Sequence, residues 1–356
     1  MRPVAIEDER REERKKVLNY TTLRFLSMTA ACAGLSLGFA MNAFAQISPQ
    51  FQVSNGAILK NGVRHEFRGA NGMHSFGGDS ADMAAWQLDI VREFVDNLKE
   101  NPLTGAYSVQ SSTGAWLQPL QKIVNANRAN GKVTILCAFG WDGTEATKFI
   151  GLNPSQTPFW NDYKTRFRAV ANQFKNQSDV WFEVWNEPYY WDRTHGYSDA
   201  LWLSDMKLMV DNIRSTGATN IILVPGAESG QDEKVILNQG ALLLKGRSNI
   251  VFDVHAYEKW LFDSQATIEA RIRQLNKAGF AVLFGETAPR NAGALMNPLA
   301  FLMATKNTKT SVCAWLWKWD GNDQDALLNA NGTAPNDNNN NSWGSTFKAY
   351  ALSPRL

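Results

Sequence analysis

Residues 180–187 read VWFEVWNE, and Pro188 follows. The run is apolar, rich in β-branched and aromatic side chains, and too short for a typical helix. It reads as a buried strand that ends on Asn186-Glu187. Seven more stretches have the same character. Upstream lie HEFRGAN (65–71), LDIVREFV (88–95) and KVTILCAF (132–139). Downstream lie NIILVPGA (220–227), NIVFDVHAY (249–257), FAVLFGE (280–286) and SVCAWLWKW (311–319). Amphipathic stretches at helical spacing separate most of them: 116–130, 158–176, 198–216, 264–278 and 296–307. The third of these opens on Ser198-Asp199, which reads as an N-cap, and stops at Gly217. A short helix is expected within 228–248 and a closing helix over 343–352. Eight apolar strands alternating with helices predict a closed (β/α)8 barrel. An open doubly wound sheet is the alternative, weakened by the lack of a glycine-rich phosphate loop after the first strand. Residues 51–69, FQVSNGAILKNGVRHEFRG, alternate and carry Asn-Gly twice. They predict a small β-hairpin leading into the barrel.

The N-terminal segment is read separately. Residues 1–24 are charged and polar. The apolar run FLSMTAACAGLSLGFAM follows, and then Asn42-Ala43-Phe44-Ala45. This pattern is expected of a secretory signal peptide cut after Ala45. A membrane anchor is the alternative, but the run is short for a span. A single catalytic domain is then expected over 46–356, secreted to the periplasm or the medium. Residues 1–45 hold 7 of the 36 basic and 5 of the 34 acidic residues, leaving 29 of each. That balance argues against nucleic acid or an anionic surface as the main partner. The two cysteines beyond the leader, Cys137 and Cys313, lie in strand-like runs and are expected as buried thiols. No Cys/His cluster has metal-ligand spacing. All thirteen tryptophans lie beyond residue 45, and several flank strand ends. Flat aromatic faces of this kind suit the apolar faces of sugar rings.

In such a barrel, catalytic groups project from the C-terminal ends of the strands. The fourth strand ends on Glu187 and the seventh on Glu286. One carboxylate at a strand end is more often a cap or an ion-pair partner. Two that face each other across a barrel mouth fit glycoside cleavage, which needs a proton donor and a nucleophile or base flanking the bond. The ordered set of Asn186-Glu187-Pro188, His255-x-Tyr257, Glu286 and Trp317 resembles glycoside hydrolase family 5 over essentially the whole chain beyond the leader. The resemblance implies a retaining, endo-acting hydrolase. In it Glu187 would be the acid/base and Glu286 the nucleophile. Asn186 would bond the sugar 2-hydroxyl. Arg92, His255 and Tyr257 would surround the carboxylates, and Trp317 would floor the reacting subsite. No metal or organic cofactor is implied.

Two positions depart from the pattern. The third strand ends Cys137-Ala138-Phe139-Gly140-Trp141-Asp142, without the family's histidine, so Trp141 is expected to shape that wall. His74 lies about one residue from a family histidine and is expected either to bind substrate or to bond backbone. Glu183 is expected to face away from Asn186 and to serve in structural pairing. Glu228 and Glu258 are expected as solvated loop residues that could reach subsites.

The substrate is expected to be a polysaccharide or oligosaccharide, β-1,4-glucan first and β-1,4-mannan second, cleaved by a monomer. A non-catalytic glycan-binding barrel is the alternative from another class, disfavoured because both carboxylates are present. The leader reading predicts that the exported protein begins at Gln46. N-terminal sequencing of the mature product checks this, and an uncleaved or membrane-retained chain would refute it.

Overall fold

A computed structural model describes residues 50–72, 74, 80–97, 109–110, 116–142, 144–318, 325–329, 331–337 and 342–356. The proposed leader, residues 1–45, lies outside them. Eight strands close into a barrel in which each lies beside its neighbours in sequence. In chain order they are Arg68–Gly72, Ile90–Asn97, Val133–Gly140, Val180–Glu183, Ile222–Pro225, Ile250–Ala256, Val282–Thr287 and Ser311–Ala314. All eight pairings are parallel. The chain is therefore a (β/α)8 barrel.

Helices Leu120–Ala129, Trp160–Phe174, Asp199–Arg214, Lys234–Leu244, Gln265–Lys277, Leu299–Thr308 and Trp343–Leu352 accompany the strands. Ser198 caps the Asp199–Arg214 helix by accepting the Leu201 N–H at 3.1 Å. Ser264 caps Gln265–Lys277 in the same way. Each satisfies a backbone donor that the first turn would otherwise leave open. Among the described residues, no helix is long and apolar enough to cross a membrane.

Two strands stop well short of the C-terminal end of their apolar runs. The fourth stops at Glu183 and the eighth at Ala314. Beyond Glu183 the chain exchanges its sheet partner for a loop. The Glu187 N–H donates to Phe149 O, and the Gly151 N–H donates to Glu187 O. Hydrophobicity persists because the segment stays buried, not because it stays in the ladder.

The N-terminal segment forms two hairpins rather than one. Strands Phe51–Ser54, Ala57–Lys60 and Val63–Arg64 pair antiparallel. Both Asn-Gly pairs turn with positive φ at each residue: Asn55 49°, Gly56 69°, Asn61 53° and Gly62 80°. That is the backbone a two-residue hairpin loop demands, and Asn-Gly adopts it with little strain. The hairpins put Phe51 and Ile58 against the apolar end of the barrel interior. There they cluster with Phe67, Ile90, Ile135, Trp181, Leu223, Val251 and Leu283. The rings of Phe51 and Phe67 meet that of Trp181 edge-on, at 5.8 and 5.1 Å.

Truncating this plug removes a buried aromatic and leaves a cavity. Phe51→Ala is expected to cost about 3 kcal/mol of stability. Urea unfolding measures this. A loss below about 1 kcal/mol, the scale of an ordinary surface change, would show that the plug does not support the barrel.

Candidate active site

The barrel interior changes character two residues along each strand. Inward-facing Ile90, Ile135, Trp181 and Val251 belong to the apolar end. Their i+2 successors on the same faces are Arg92, Cys137, Glu183 and Asp253, all fully buried. Arg92 organises this layer. Its Nε and Nη2 donate to both oxygens of Glu183 at 2.6 Å. Its Nη1 donates to Glu286 Oε1 at 2.6 Å and to Asn71 Oδ1 at 2.8 Å. Its Nη2 also donates to Asn186 Oδ1 at 2.8 Å and meets Cys137 Sγ at 3.2 Å.

Glu183 serves in structural pairing, as expected of it, here with Arg92, but its direction differs from the expectation. Glu183 and Asn186 converge on one guanidinium. Strand parity does not carry past Glu183, because the regular strand ends there.

Glu286 reaches the interior through an irregularity. The sixth and seventh strands pair Val254 with Phe284 and then His255 with Glu286, so Gly285 is an extra residue. A bulge of this kind reverses side-chain parity, which turns Glu286 towards the barrel axis. Only glycine fits at the bulge. A Cβ there would lie 2.5 Å from both carboxylate oxygens of Asp253. Asp253 Oδ1 instead accepts the Gly285 N–H at 2.6 Å.

Glu286 Oε2 accepts the Tyr257 hydroxyl at 2.7 Å. Burial, reinforced by the Glu286 charge, pushes the Tyr257 pKa well up, so the hydroxyl remains a donor. Glu187 Oε1 lies 2.7 Å from His255 Nδ1. His255 Nε2 is 3.3 Å from Asp253 Oδ2, and Nδ1 is 3.5 Å from Glu286 Oε2. Burial opposes charge on His255, but Glu286, Asp253 and Glu187 outweigh it and raise its pKa well above the ordinary value. These carboxylates favour the charged imidazole, whose Nδ1 would donate to Glu187. Burial raises the Glu187 pKa, the Glu286 charge adds to this, and His255 works against both. An oxygen of Glu187, an oxygen of Glu286 and a nitrogen of His255 lie within 4.8 Å of one another. That spacing would admit a cation. Here, however, donors from Arg92, Tyr257 and His255 already compensate the carboxylates.

Glu187, Glu286, Arg92, Asn186, His255 and Tyr257 thus come together at the C-terminal end of the barrel. The remaining candidates follow other strand ends and make different contacts. His74 bonds Glu93 through both its backbone N–H and its Nδ1, at 3.0 and 2.8 Å. Trp141 is buried and stacks on Phe159 with centroids 5.6 Å apart. Trp317 is 1% exposed and meets Trp86 edge-on, so its ring has no open face. Trp315 is partly exposed, directly follows the eighth strand, and donates its N–H to Thr287 O, one residue from Glu286. It suits a subsite floor better than Trp317. The family resemblance points to Trp317 instead. Glu228 pairs with Arg193 and Lys259. Glu258 accepts from Asn291 Nδ2 at 3.0 Å.

A parallel (β/α)8 barrel with two closely spaced carboxylates at its mouth defines the class of barrel glycosidases. The Cellulase (glycosyl hydrolase family 5) family matches residues 72–322, and the chain belongs to that family. A mannan endo-1,4-beta-mannosidase of Cellvibrio japonicus is 23% identical over 308 residues, 83% of this chain. The match spans 65% of that relative's length. The manganese dependent endoglucanase Eg5A of Phanerodontia chrysosporium is 29% identical over 49% of this chain and 41% of its own. Among solved structures, the catalytic domain of a mannanase from Streptomyces sp. SirexAA-E superposes with a TM-score of 0.67. It is 17% identical and covers 93% of this chain and 99% of its own. At that identity the likeness speaks for the fold.

A raised pKa keeps Glu187 protonated to higher pH than an ordinary glutamic acid, and the acid form is lost as pH rises through that pKa. His255 is the cation that lowers it. His255→Gln is therefore expected to move the alkaline limb of the kcat/KM profile to higher pH. An unmoved limb, or one shifted to lower pH, would contradict the assignment of Glu187 as the acid.

Proposed function

We propose that the protein is an endo-acting β-1,4-mannanase that cleaves by double displacement with retention. The observation that carries the reaction class is the approach of Glu187 and Glu286, with one oxygen of each within 4.8 Å. Retaining enzymes separate their carboxyl groups by about 5–5.5 Å, whereas inverting ones leave about 6.5–9.5 Å for a water. In this reading Glu286 attacks the anomeric carbon and forms a glycosyl ester. Arg92 and Tyr257 each hold one of its oxygens and aim it. Glu187 gives its proton to the leaving oxygen. With Oε1 occupied by His255, Oε2 is the oxygen available to carry that proton. Esterification removes the negative charge on Glu286, which had helped to raise the pKa of Glu187. Glu187 then takes a proton from water as the ester is hydrolysed. Asn186, its amide oxygen held by Arg92, directs its NH2 group away from the guanidinium and suits a bond to the sugar 2-hydroxyl.

The order of substrates reverses the initial expectation of glucan first. The relative aligned over most of the chain is a mannan endo-1,4-beta-mannosidase. The endoglucanases align over 49% and 33% of it. β-1,4-Glucan is the second reading, favoured by those same endoglucanases. Export by the N-terminal leader belongs to the same proposal, since a polymer of this size is met outside the cell.

A panel of galactomannan, glucomannan, carboxymethylcellulose, lichenan and xylan tests the substrate. Highest activity on the two mannans is expected, and preference for carboxymethylcellulose or lichenan would replace mannan by glucan. Proton NMR of fresh product should show the β anomer first. Glu286→Ala should lose nearly all activity and regain turnover with azide. An initial α anomer, or full activity in the variant, would overturn the mechanism.

A further inference from the structure

The loop that follows Glu187 carries two aromatic residues in succession, Tyr190 and Trp191, which are 39% and 57% exposed. Among the described residues, Phe262 is the other exposed aromatic, and it too lies in a loop leaving the mouth of the barrel. Uncovered rings of this size are unfavourable in water unless something covers them.

The loop is nevertheless held in place along its length. Glu187 exchanges backbone bonds with Phe149 and Gly151, and the Tyr189 N–H donates to Leu152 O at 2.9 Å. The Ser229 N–H donates to Tyr189 O at 2.9 Å, and Lys259 Nζ donates to Trp191 O at 2.9 Å. Arg193 ties the loop to Glu228 and Asp232. Tyr189, Arg193 and His195 have positive φ of 62°, 63° and 59°, as do Glu228 and Ser229 in the facing loop, at 55° and 52°. Left-handed backbone at non-glycine residues is strained and gathers at ligand clamps. The ring of Tyr190 lies on Gly151, where a Cβ would come within 3.2 Å of it. Gly151 in turn donates to the backbone of Glu187. The loop thus combines a fixed backbone with uncovered rings beside the acid, and a ring presented this way loses little entropy on binding.

Trp191 lies four positions beyond Glu187, a reach of at most about 14 Å. A general acid sits on the side of the bond from which the leaving group departs. We propose that Tyr190 and Trp191 form a stacking platform for the leaving-group half of the glycan, taking the apolar face of a pyranose ring. This rests on the glycosidase reading given above.

The test compares two substrates in the full-length enzyme. One is the β-1,4-hexasaccharide that the wild type cleaves, which fills subsites on both sides of the bond. The other is the disaccharide β-fluoride, whose departing atom carries no sugar into the leaving-group side. Trp191→Ala is expected to lower kcat/KM on the hexasaccharide about tenfold, the scale of one lost aromatic contact. Hydrolysis of the fluoride should stay within about twofold of wild type, and Trp191→Phe should lose less on the hexasaccharide than the alanine variant. An equal loss on both substrates, or no loss on the hexasaccharide, would overturn the platform. Failure of the glycosidase reading itself would show separately, as wild-type fluoride hydrolysis by Glu286→Ala.

Discussion

A guanidinium sealed inside the barrel sets the geometry of everything above it. Arg92 has no access to water, so each of its donors must find an acceptor within the protein. Those acceptors come from the ends of other strands: Asn71 from the first, Glu183 and Asn186 at the fourth, Glu286 from the seventh. A buried charge met by one partner is barely compensated, and removal of that partner leaves an ion stranded at several kcal/mol. Glu183 carries the structural share of this duty with a bidentate pair. Glu286 is therefore held by a cation whose charge is already balanced from the other side. Glu286 keeps one oxygen on Arg92 and the other on Tyr257, so its carboxylate plane is fixed.

Glu187 and Glu286 are linked through one further buried residue. His255 touches Glu187, lies near Glu286, and rests against Asp253. Asp253 also accepts the N–H of Gly285, the residue whose insertion turns Glu286 inward. One carboxylate thus supports both the imidazole and the bulge. Charge on Glu286 raises the proton affinity of Glu187, and charge on His255 lowers it.

The barrel divides its labour along its axis. Phe51, Phe67 and Trp181 close one end with apolar contacts and carry stability. The charged layer starts one inward-facing position further along, and the loops beyond it carry strain. Irregular backbone accumulates there: the bulge at Gly285 and left-handed residues in the loops after the fourth and fifth strands. A well-packed base can support such local costs because its own contacts are regular.

Much of this was legible before any coordinates. Eight apolar runs separated by amphipathic ones led to the barrel, because strand burial and helix amphipathicity are local periodicities. Asn-Gly marked both hairpin turns, because so few residue pairs tolerate that backbone. Ser198 marked a helix start. Glu187 and Glu286 were visible as carboxylates closing apolar strands. What lay beyond reach depended on where regular structure stops. Hydrophobicity continues past Glu183 and Ala314 because those segments remain buried, whereas the hydrogen-bonded ladder does not continue. Facing directions counted past Glu183 fail for Glu183 against Asn186, and the family resemblance points to Trp317 where the fold exposes Trp315 in part. The bulge at Gly285 and the left-handed turns around Trp191 arise from contacts between residues far apart in the chain. The amino-acid sequence by itself determined the barrel and named its two carboxylates, since both follow from patterns within single segments. Only the tertiary structure decided which way each side chain faces and what charges surround it, because those depend on segments brought together by closure of the barrel.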